Sequence, residues 1–266
     1  MEPLIQDSDL LIFQGDCLEV LCGLATDSVD ACVTSPPYLD ARPEYPSPSP
    51  SEFALIFAEL RRVVSGPMLV NVGRLWRDHR ELLWWTELID RAEEVGWPLR
   101  DTLIWIKPNA NPLQGEILTS AHEYVFLFGD DFQPDQIRTP YAPETIARYN
   151  RKFEANAGVK NSPRSERREP RVGSANELGA RPKSYVEVYT GKEKGNPHPA
   201  PMALDLAVHL VKLAVPAGGT VLDPFGGSGT TAEAARSQGR KSVLIELSPE
   251  YAEMAAKRLA QQSLLA

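Results

Sequence analysis

The chain is expected to fold as an open, doubly wound α/β sheet of Rossmann-like type, mostly parallel, with one antiparallel hairpin strand and an inserted basic region between its two halves. Three observations carry this expectation. Short runs such as residues 29–34 and 68–72 are mostly apolar and alternate too little for edge strands, as strands covered on both faces do. They alternate with segments of helical spacing, the pattern that builds parallel sheets. Val221 to Thr231, reading Val-Leu-Asp-Pro-Phe-Gly-Gly-Ser-Gly-Thr-Thr, gives a strand end, a tight glycine turn and a helix start, where backbone N–H groups can approach a ligand.

Taken in order, residues 10–14 form a short apolar strand that delivers Gly15-Asp16-Cys17, and residues 17–24 show helical spacing through Leu18, Leu21 and Cys22. Residues 29–34 are a buried strand ending in Thr34-Ser35-Pro36-Pro37-Tyr38. Residues 39–50 are too rich in proline for regular structure and form a surface loop carrying Arg42 and Tyr45, suited to a lid or a DNA-contacting arm. Ser51 is expected to cap an amphipathic helix to Val64, and residues 68–72 to form the next buried strand. A long helix is predicted over residues 78–95, ended by Gly96, with Trp84 and Trp85 packing into the core. Residues 99–107 and 124–128 are two strands able to pair as a hairpin. A helix over 201–215 leads back to the glycine turn. After it come a helix over 230–238 closed by Gly239, a strand over 242–245 ending in Glu246, and a helix from Ser248 to about residue 262, with Pro249 in its first turn.

With 266 residues, 42% hydrophobic and 24% charged, the chain has room for one large domain or one domain with a substantial insertion. No apolar run reaches the length of a membrane span, and the first residues lack the basic and apolar regions of a secretory signal, so the cytoplasm is the expected compartment. Cys17, Cys22 and Cys32 fit no zinc or redox spacing and are read as semi-buried thiols; four scattered histidines suggest no metal site. The net charge of −8 is unevenly spread. Between Arg138 and Lys194, 13 Lys or Arg face 7 Asp or Glu, a surplus of six that leaves the rest of the chain at −14. A basic segment in an acidic protein is the electrostatic footprint of a nucleic-acid partner.

Two local constellations carry chemistry. Pro36 and Pro37 hold Ser35 out of the helical region and remove two N–H donors. The result is a rigid, acceptor-rich elbow with a hydroxyl at Ser35 and a ring at Tyr38, suited to hold a planar base by its exocyclic amine. In the glycine turn, Gly227, Gly229 and Ala232 satisfy only a loose nucleotide-binding pattern, and no Lys follows to make a phosphate loop. Asp223 at its mouth would repel a pyrophosphate and attract an ammonium or sulfonium, which favours S-adenosylmethionine over a nicotinamide dinucleotide. Glu246, 23 residues beyond Asp223, stands where an acid at the end of the next strand reaches ribose hydroxyls. If the strands ending at Thr34 and Leu222 are neighbours where strand order reverses, methyl donor and base face each other.

Asp-Pro-Phe-Gly-Gly-Ser-Gly-Thr-Thr together with Thr-Ser-Pro-Pro-Tyr resembles the amino-methylating DNA methyltransferases of the permuted beta class, in which the catalytic elbow precedes the cofactor loop. The resemblance covers nearly the whole chain except residues 130–197. It implies a catalytic half over 1–129, an inserted target-recognition region over 130–197 and a cofactor-binding half over 198–266. It implies catalytic roles for Ser35, Pro36, Pro37 and Tyr38. It also implies S-adenosylmethionine held by Asp16, Cys17, His198, Pro199, Asp223, Pro224, Phe225, Gly226, Gly227, Ser228, Gly229, Thr230, Thr231 and Glu246, with Asp16 on the adenine amine. Double-stranded DNA is the implied partner, contacted by Arg42, Arg164, Arg167, Arg168 and Arg171; a homodimer and a cognate restriction endonuclease are compatible with it but not required by the sequence. Ser at the first elbow position goes in this family with cytosine N4, and Asp with adenine N6, so Ser35 favours cytosine N4 with adenine N6 as the alternative. No cysteine follows a proline, as a carbon-5 cytosine methyltransferase would need. Three other classes compete: a nicotinamide-dependent oxidoreductase, a non-catalytic nucleic-acid-binding protein, and a related transferase acting on RNA or protein.

Overall fold

The computed structural model describes residues 2–37, 47–112, 118–149, 176–191 and 202–263. They fall into two compact units, one formed by residues 1–133 and 183–266 and the other by residues 134–182.

The strands of the larger unit are β1 (Ile5–Gln6), β2 (Leu10–Gln14), β3 (Ala31–Thr34), β4 (Met68–Val72), β5 (Leu75–Arg77), β6 (Arg80–Leu82), β7 (Leu99–Ile106), β8 (His122–Phe128), β9 (Tyr185–Glu187), β10 (Thr220–Asp223) and β11 (Lys241–Glu246). Among the described residues, nine of these form one sheet in the order β1-β2-β11-β10-β3-β4-β8-β7-β9, with β5 and β6 pairing separately. The five central strands β2, β11, β10, β3 and β4 run parallel. β8 lies antiparallel between β4 and β7, the hairpin strand expected from the sequence.

The helices are α1 (Cys17–Gly23), α2 (Pro50–Val63), α3 (Trp85–Glu94), α4 (Pro143–Tyr149), α5 (Leu204–Ala214), α6 (Thr230–Ser237) and α7 (Pro249–Ser263). α2 buries Phe53, Ile56, Phe57, Leu60 and Val63, one stripe of its surface, in the core that also holds Met68, Val70 and Trp97. The Trp97 indole donates to the Phe57 carbonyl at 3.0 Å, which gives a ring 1% exposed its polar partner. α7 closes the other side, where Ala255 and Leu259 pack with Ile12, Ala232 and Leu244.

Several boundaries differ from the sequence reading. Ser49 rather than Ser51 caps α2: its hydroxyl accepts from Glu52 N–H while the Glu52 carboxylate accepts from Ser49 N–H, and Pro50 takes the first helical position. The long helix predicted from residue 78 is a hairpin followed by a shorter helix. Asp78 and His79 both hold positive φ, 51° and 61°, which turns the chain between β5 and β6, and the Arg74 guanidinium grips Glu81 across the ribbon at 2.7 and 2.8 Å. Trp84 and Trp85 are buried as expected, with the Trp84 indole donating to the Gly73 carbonyl at 3.1 Å. β1 and β9, two and three residues long, were not anticipated. Cys17 and Cys32 are buried, whereas Cys22 is exposed on the outer face of α1.

The smaller unit holds a 3₁₀ turn at Pro134–Ile137, α4, and an antiparallel bridge between Thr139 and Ala180. Arg138 donates to Asp135 and to the Gly179 carbonyl. A side chain at Gly179 would meet the Thr139 carbonyl oxygen at 2.3 Å, and its φ of +100° also requires glycine.

Candidate active site

Among the described residues β10 is the last strand but one in sequence, yet it sits between β11 and β3. From β3 the chain winds outward through β4, and from β10 it winds the opposite way through β11. Strand order therefore reverses between β3 and β10, and a crevice opens there beyond the carboxyl ends of the strands. Ser35 follows the last residue of β3 and Pro224 the last residue of β10, so the proline elbow and the glycine turn leave the sheet side by side.

Asp223 joins them. Its Oδ1 accepts from Thr34 Oγ1 at 2.7 Å and from Phe225 N–H at 3.1 Å, and its Oδ2 accepts from Thr231 Oγ1 at 2.7 Å. The carboxyl is 4% exposed, and burial raises its pKa against the opposing pull of these bonds. Instead of standing at the mouth of the turn as an open charge, it lies beneath the turn, because the chain after Pro224 folds back and brings Thr231 over it. Its place is that of a pin between β3, the turn and the start of α6.

The turn is held on every side. Gly226 N–H donates to the Ile245 carbonyl at 2.8 Å, and Gly229 N–H to the Gly226 carbonyl at 2.9 Å. Gly227 N–H donates to Glu246 Oε2 at 2.7 Å. Gly229, at φ +84°, leads into α6, and a Cβ there would lie 3.1 Å from Ala255 Cβ and 3.3 Å from Leu259 Cδ1. Pro224, Ser228, Thr230 and Thr231 are buried, and Phe225 packs its ring 6.4 Å from that of Phe53. From α7, Arg258 donates to the Ser228 carbonyl at 3.0 Å and to Thr230 Oγ1 at 3.4 Å, while its other nitrogen pairs with Glu233. Nothing in the sequence flagged Arg258, since its spacing along α7 is that of an ordinary basic surface position.

Two further carboxylates lie on this edge. Glu246 ends β11, 6% exposed, and also accepts from Ser248 N–H at 2.9 Å; burial raises its pKa. Asp16 follows β2, which pairs with β11 through Gln14 and Glu246. Its Oδ1 caps α1 by accepting from Leu18 and Glu19 N–H at 2.9 and 3.1 Å. Gly15 N–H donates to the Glu246 carbonyl at 3.0 Å and fixes the two acids as neighbours. Cys17, one residue on, is pushed up to about 12 by burial and then by Asp16, which leaves it a protonated packing group.

Ser35 is half-buried, Pro36 buried and Pro37 half-buried. Tyr38, Arg42, Arg164, Arg167, Arg168, Arg171, His198 and Pro199 lie outside the described residues. Among the described residues no three His, Cys, Asp or Glu side chains gather as metal ligands, and no helix is long and apolar enough to cross a membrane.

A glycine turn over an acid-terminated strand, set against an elbow of hydrogen-bond acceptors at a strand-order reversal, is the architecture of an α/β methyltransferase. The DNA methylase family of N6 and N4 methyltransferases matches residues 29–257, and the chain belongs to it. Over 97% of its length it is 29% identical to the Type II methyltransferase M.ScaI of Streptomyces caespitosus, spanning 84% of that relative. The PvuII DNA methyltransferase, cytosine-N4-specific, shares the fold with a TM-score of 0.68 at 19% identity, over 97% of this chain and 88% of that one. TTHA0409 of Thermus thermophilus, described as a DNA modification methylase, was solved in complex with S-adenosyl-L-methionine. It is similar at TM-score 0.61 and 25% identity, over 94% of each chain. The cofactor read from the sequence is the one that relative binds. The residues here suit it: neighbouring carboxylates can accept from hydroxyls and an amine, and at Gly226 a Cβ would crowd Leu244 Cβ at 3.2 Å and the Ile245 carbonyl oxygen at 3.3 Å, so glycine lets the turn lie close against β11 beside Glu246.

Proposed function

We propose that this protein transfers a methyl group from S-adenosylmethionine to the exocyclic N4 of a cytosine turned out of duplex DNA. The observation that carries the reading is the bond from Thr34 to Asp223, which ties the residue preceding Ser35 to the root of the cofactor turn. Neighbouring strands are about 4.8 Å apart, so an amine held at the elbow lies within one ligand's length of the turn.

Glu246 and Asp16 take the ribose hydroxyls and the adenine amine, and the turn from Pro224 to Thr231 seats the rest of the cofactor with Cys17, His198 and Pro199. When bound, the cofactor supplies an electrophilic methyl carbon on sulfur. The amine of cytosine is a poor nucleophile because its lone pair is delocalised into the ring. Ser35 Oγ and the Pro36 carbonyl accept hydrogen bonds from it and draw the nitrogen toward tetrahedral geometry, while Pro37 keeps the elbow rigid and Tyr38 stacks on the base. Nitrogen takes the methyl carbon as the carbon–sulfur bond breaks, and one amine proton is released to water. Positioning and acceptor electrostatics account for the rate, with no covalent enzyme intermediate. Arg42, Arg164, Arg167, Arg168 and Arg171 lie on phosphates, the basic insertion reads the target, and the protein works in the cytoplasm.

The test is nucleoside mass spectrometry on DNA from a host expressing the protein. We expect 4-methylcytosine; 6-methyladenine alone would move the acceptor to adenine, and unmodified DNA would remove the activity. Replacing Ser35 by Ala should lower the turnover about a hundredfold while calorimetric affinity for S-adenosylmethionine stays within twofold.

A further inference from the structure

We infer that Tyr189 is a DNA-contacting residue, a ring held rigidly at the rim of the sheet to pack against the duplex several base pairs from the target base. The inference rests on the DNA methyltransferase reading and adds a contact that the elbow and the turn do not supply.

Tyr189 is 70% exposed. A lone exposed aromatic is common on protein surfaces, but the backbone around this one is fixed on both sides. Before it, Val188 N–H donates to the Ile106 carbonyl at 3.1 Å, and the Val188 carbonyl accepts from the buried Trp105 indole at 2.9 Å. After it, Thr190 N–H donates to Asn109 Oδ1 at 2.9 Å, Thr190 Oγ1 donates to the same oxygen at 3.1 Å, and Asn109 Nδ2 donates to the Thr190 carbonyl at 2.7 Å. Both peptide groups flanking Tyr189 are thereby pinned, and only the two side-chain torsions are free. Tyrosine presented this way offers a large contact area at little entropic cost on binding.

Its position points to the partner. β9 runs parallel to β7, with Glu187 opposite Ile106, and β7 runs parallel to β4 and β3 because β8 reverses twice between them. Tyr189, two residues past β9, therefore projects from the same edge as Ser35. Four strand spacings, about 19 Å, separate β3 from β9, and the strand registers carry Tyr189 five residues, about 17 Å, beyond the level of Ser35. The two offsets combine to about 25 Å, and phosphates recur about every 3.4 Å along one DNA strand, so this reach is about seven base pairs. A duplex laid along the strand ends with its target base at β3 would meet the ring at β9.

The high exposure makes the test clean, because truncation leaves no cavity. Affinity for a fluorescently labelled linear plasmid fragment is measured by anisotropy for the wild type, Tyr189→Ala, Tyr189→Phe and, as a control inside the sheet edge, Tyr185→Ala. Thermal unfolding and S-adenosylmethionine affinity are measured alongside. We expect Tyr189→Ala to bind DNA about tenfold more weakly, the loss of one interface aromatic, with Tyr189→Phe and Tyr185→Ala near wild type and both accompanying readouts unchanged. Wild-type affinity in Tyr189→Ala overturns the contact, and an equal loss in Tyr189→Phe overturns packing by the ring. A wild type that binds DNA without methylating it sinks the proposed activity while the comparison of variants still decides Tyr189; no DNA binding at all overturns both.

Discussion

The Thr34 hydroxyl donates to the Asp223 carboxylate at 2.7 Å across 189 residues of sequence, a buried bond between the last residues of two adjacent parallel strands. Because the same carboxylate also accepts from Phe225 N–H and Thr231 Oγ1, one side chain sets the spacing between elbow, turn and α6.

Thr34→Val keeps the shape of the side chain and removes that donor. It should cost about 1–3 kcal/mol, the penalty for leaving a buried acceptor short of a partner, read from urea unfolding. Turnover should fall with it, since the elbow loses its fixed distance from the turn. Unchanged turnover in a destabilised variant would show that the bond serves stability alone.

Acidity gives a second prediction. Burial raises the Asp223 carboxyl above its ordinary value of 3.8, so the native state takes up a proton before the unfolded chain does. Between 3.8 and the raised value, Asp223 makes stability increase as pH falls and decrease as pH rises. Asp223→Asn does not titrate, and Glu246 is common to both proteins. The stability of the wild type relative to Asp223→Asn should therefore rise on acidification through that window and level off below it. Urea unfolding at stepped pH measures the difference; one that stays flat would mean that the hydrogen bonds cancel the effect of burial.

Arg258 is expected to act on the cofactor through the turn. It holds the Ser228 carbonyl and the Thr230 hydroxyl, with Glu233 fixing its guanidinium. Lys cannot serve three acceptors with the same fork geometry, so Arg258→Lys should weaken S-adenosylmethionine binding by about tenfold and speed amide exchange over residues 226–231 in the cofactor-free protein. Turnover at saturating cofactor should stay near wild type. Lower thermal stability with unchanged affinity and exchange would confine Arg258 to bracing α7.

The parts of the site legible in the sequence are those where proline and glycine restrict the backbone, namely the elbow at Ser35 to Pro37 and the turn at Gly226 to Gly229. The parallel strands were legible because both their faces are apolar. What escaped depends on contacts between distant residues. Asp78 and His79 adopt left-handed geometry without being glycine, so the hairpin they close was hidden inside an apparent helix. β9 is a three-residue strand that exists because β7 offers it an edge. Asp223 could be singled out as an acid near the turn, but its orientation toward Thr34 and Thr231 follows from the packing of β3 against β10, which no local pattern encodes.

The middle position of β10 bears on how the protein is made. β2 pairs with β1 and β11, and β3 with β4 and β10, so no hydrogen bonds join β2 to β3 until residues 220–246 have been synthesised. A nascent chain lacking them leaves both strands with an open, apolar side, the kind of surface that invites pairing with other chains. The sheet is completed from its centre by strands made after the other described ones, so a chain cut short before residue 220 would hold two pieces of sheet with no strand to join them.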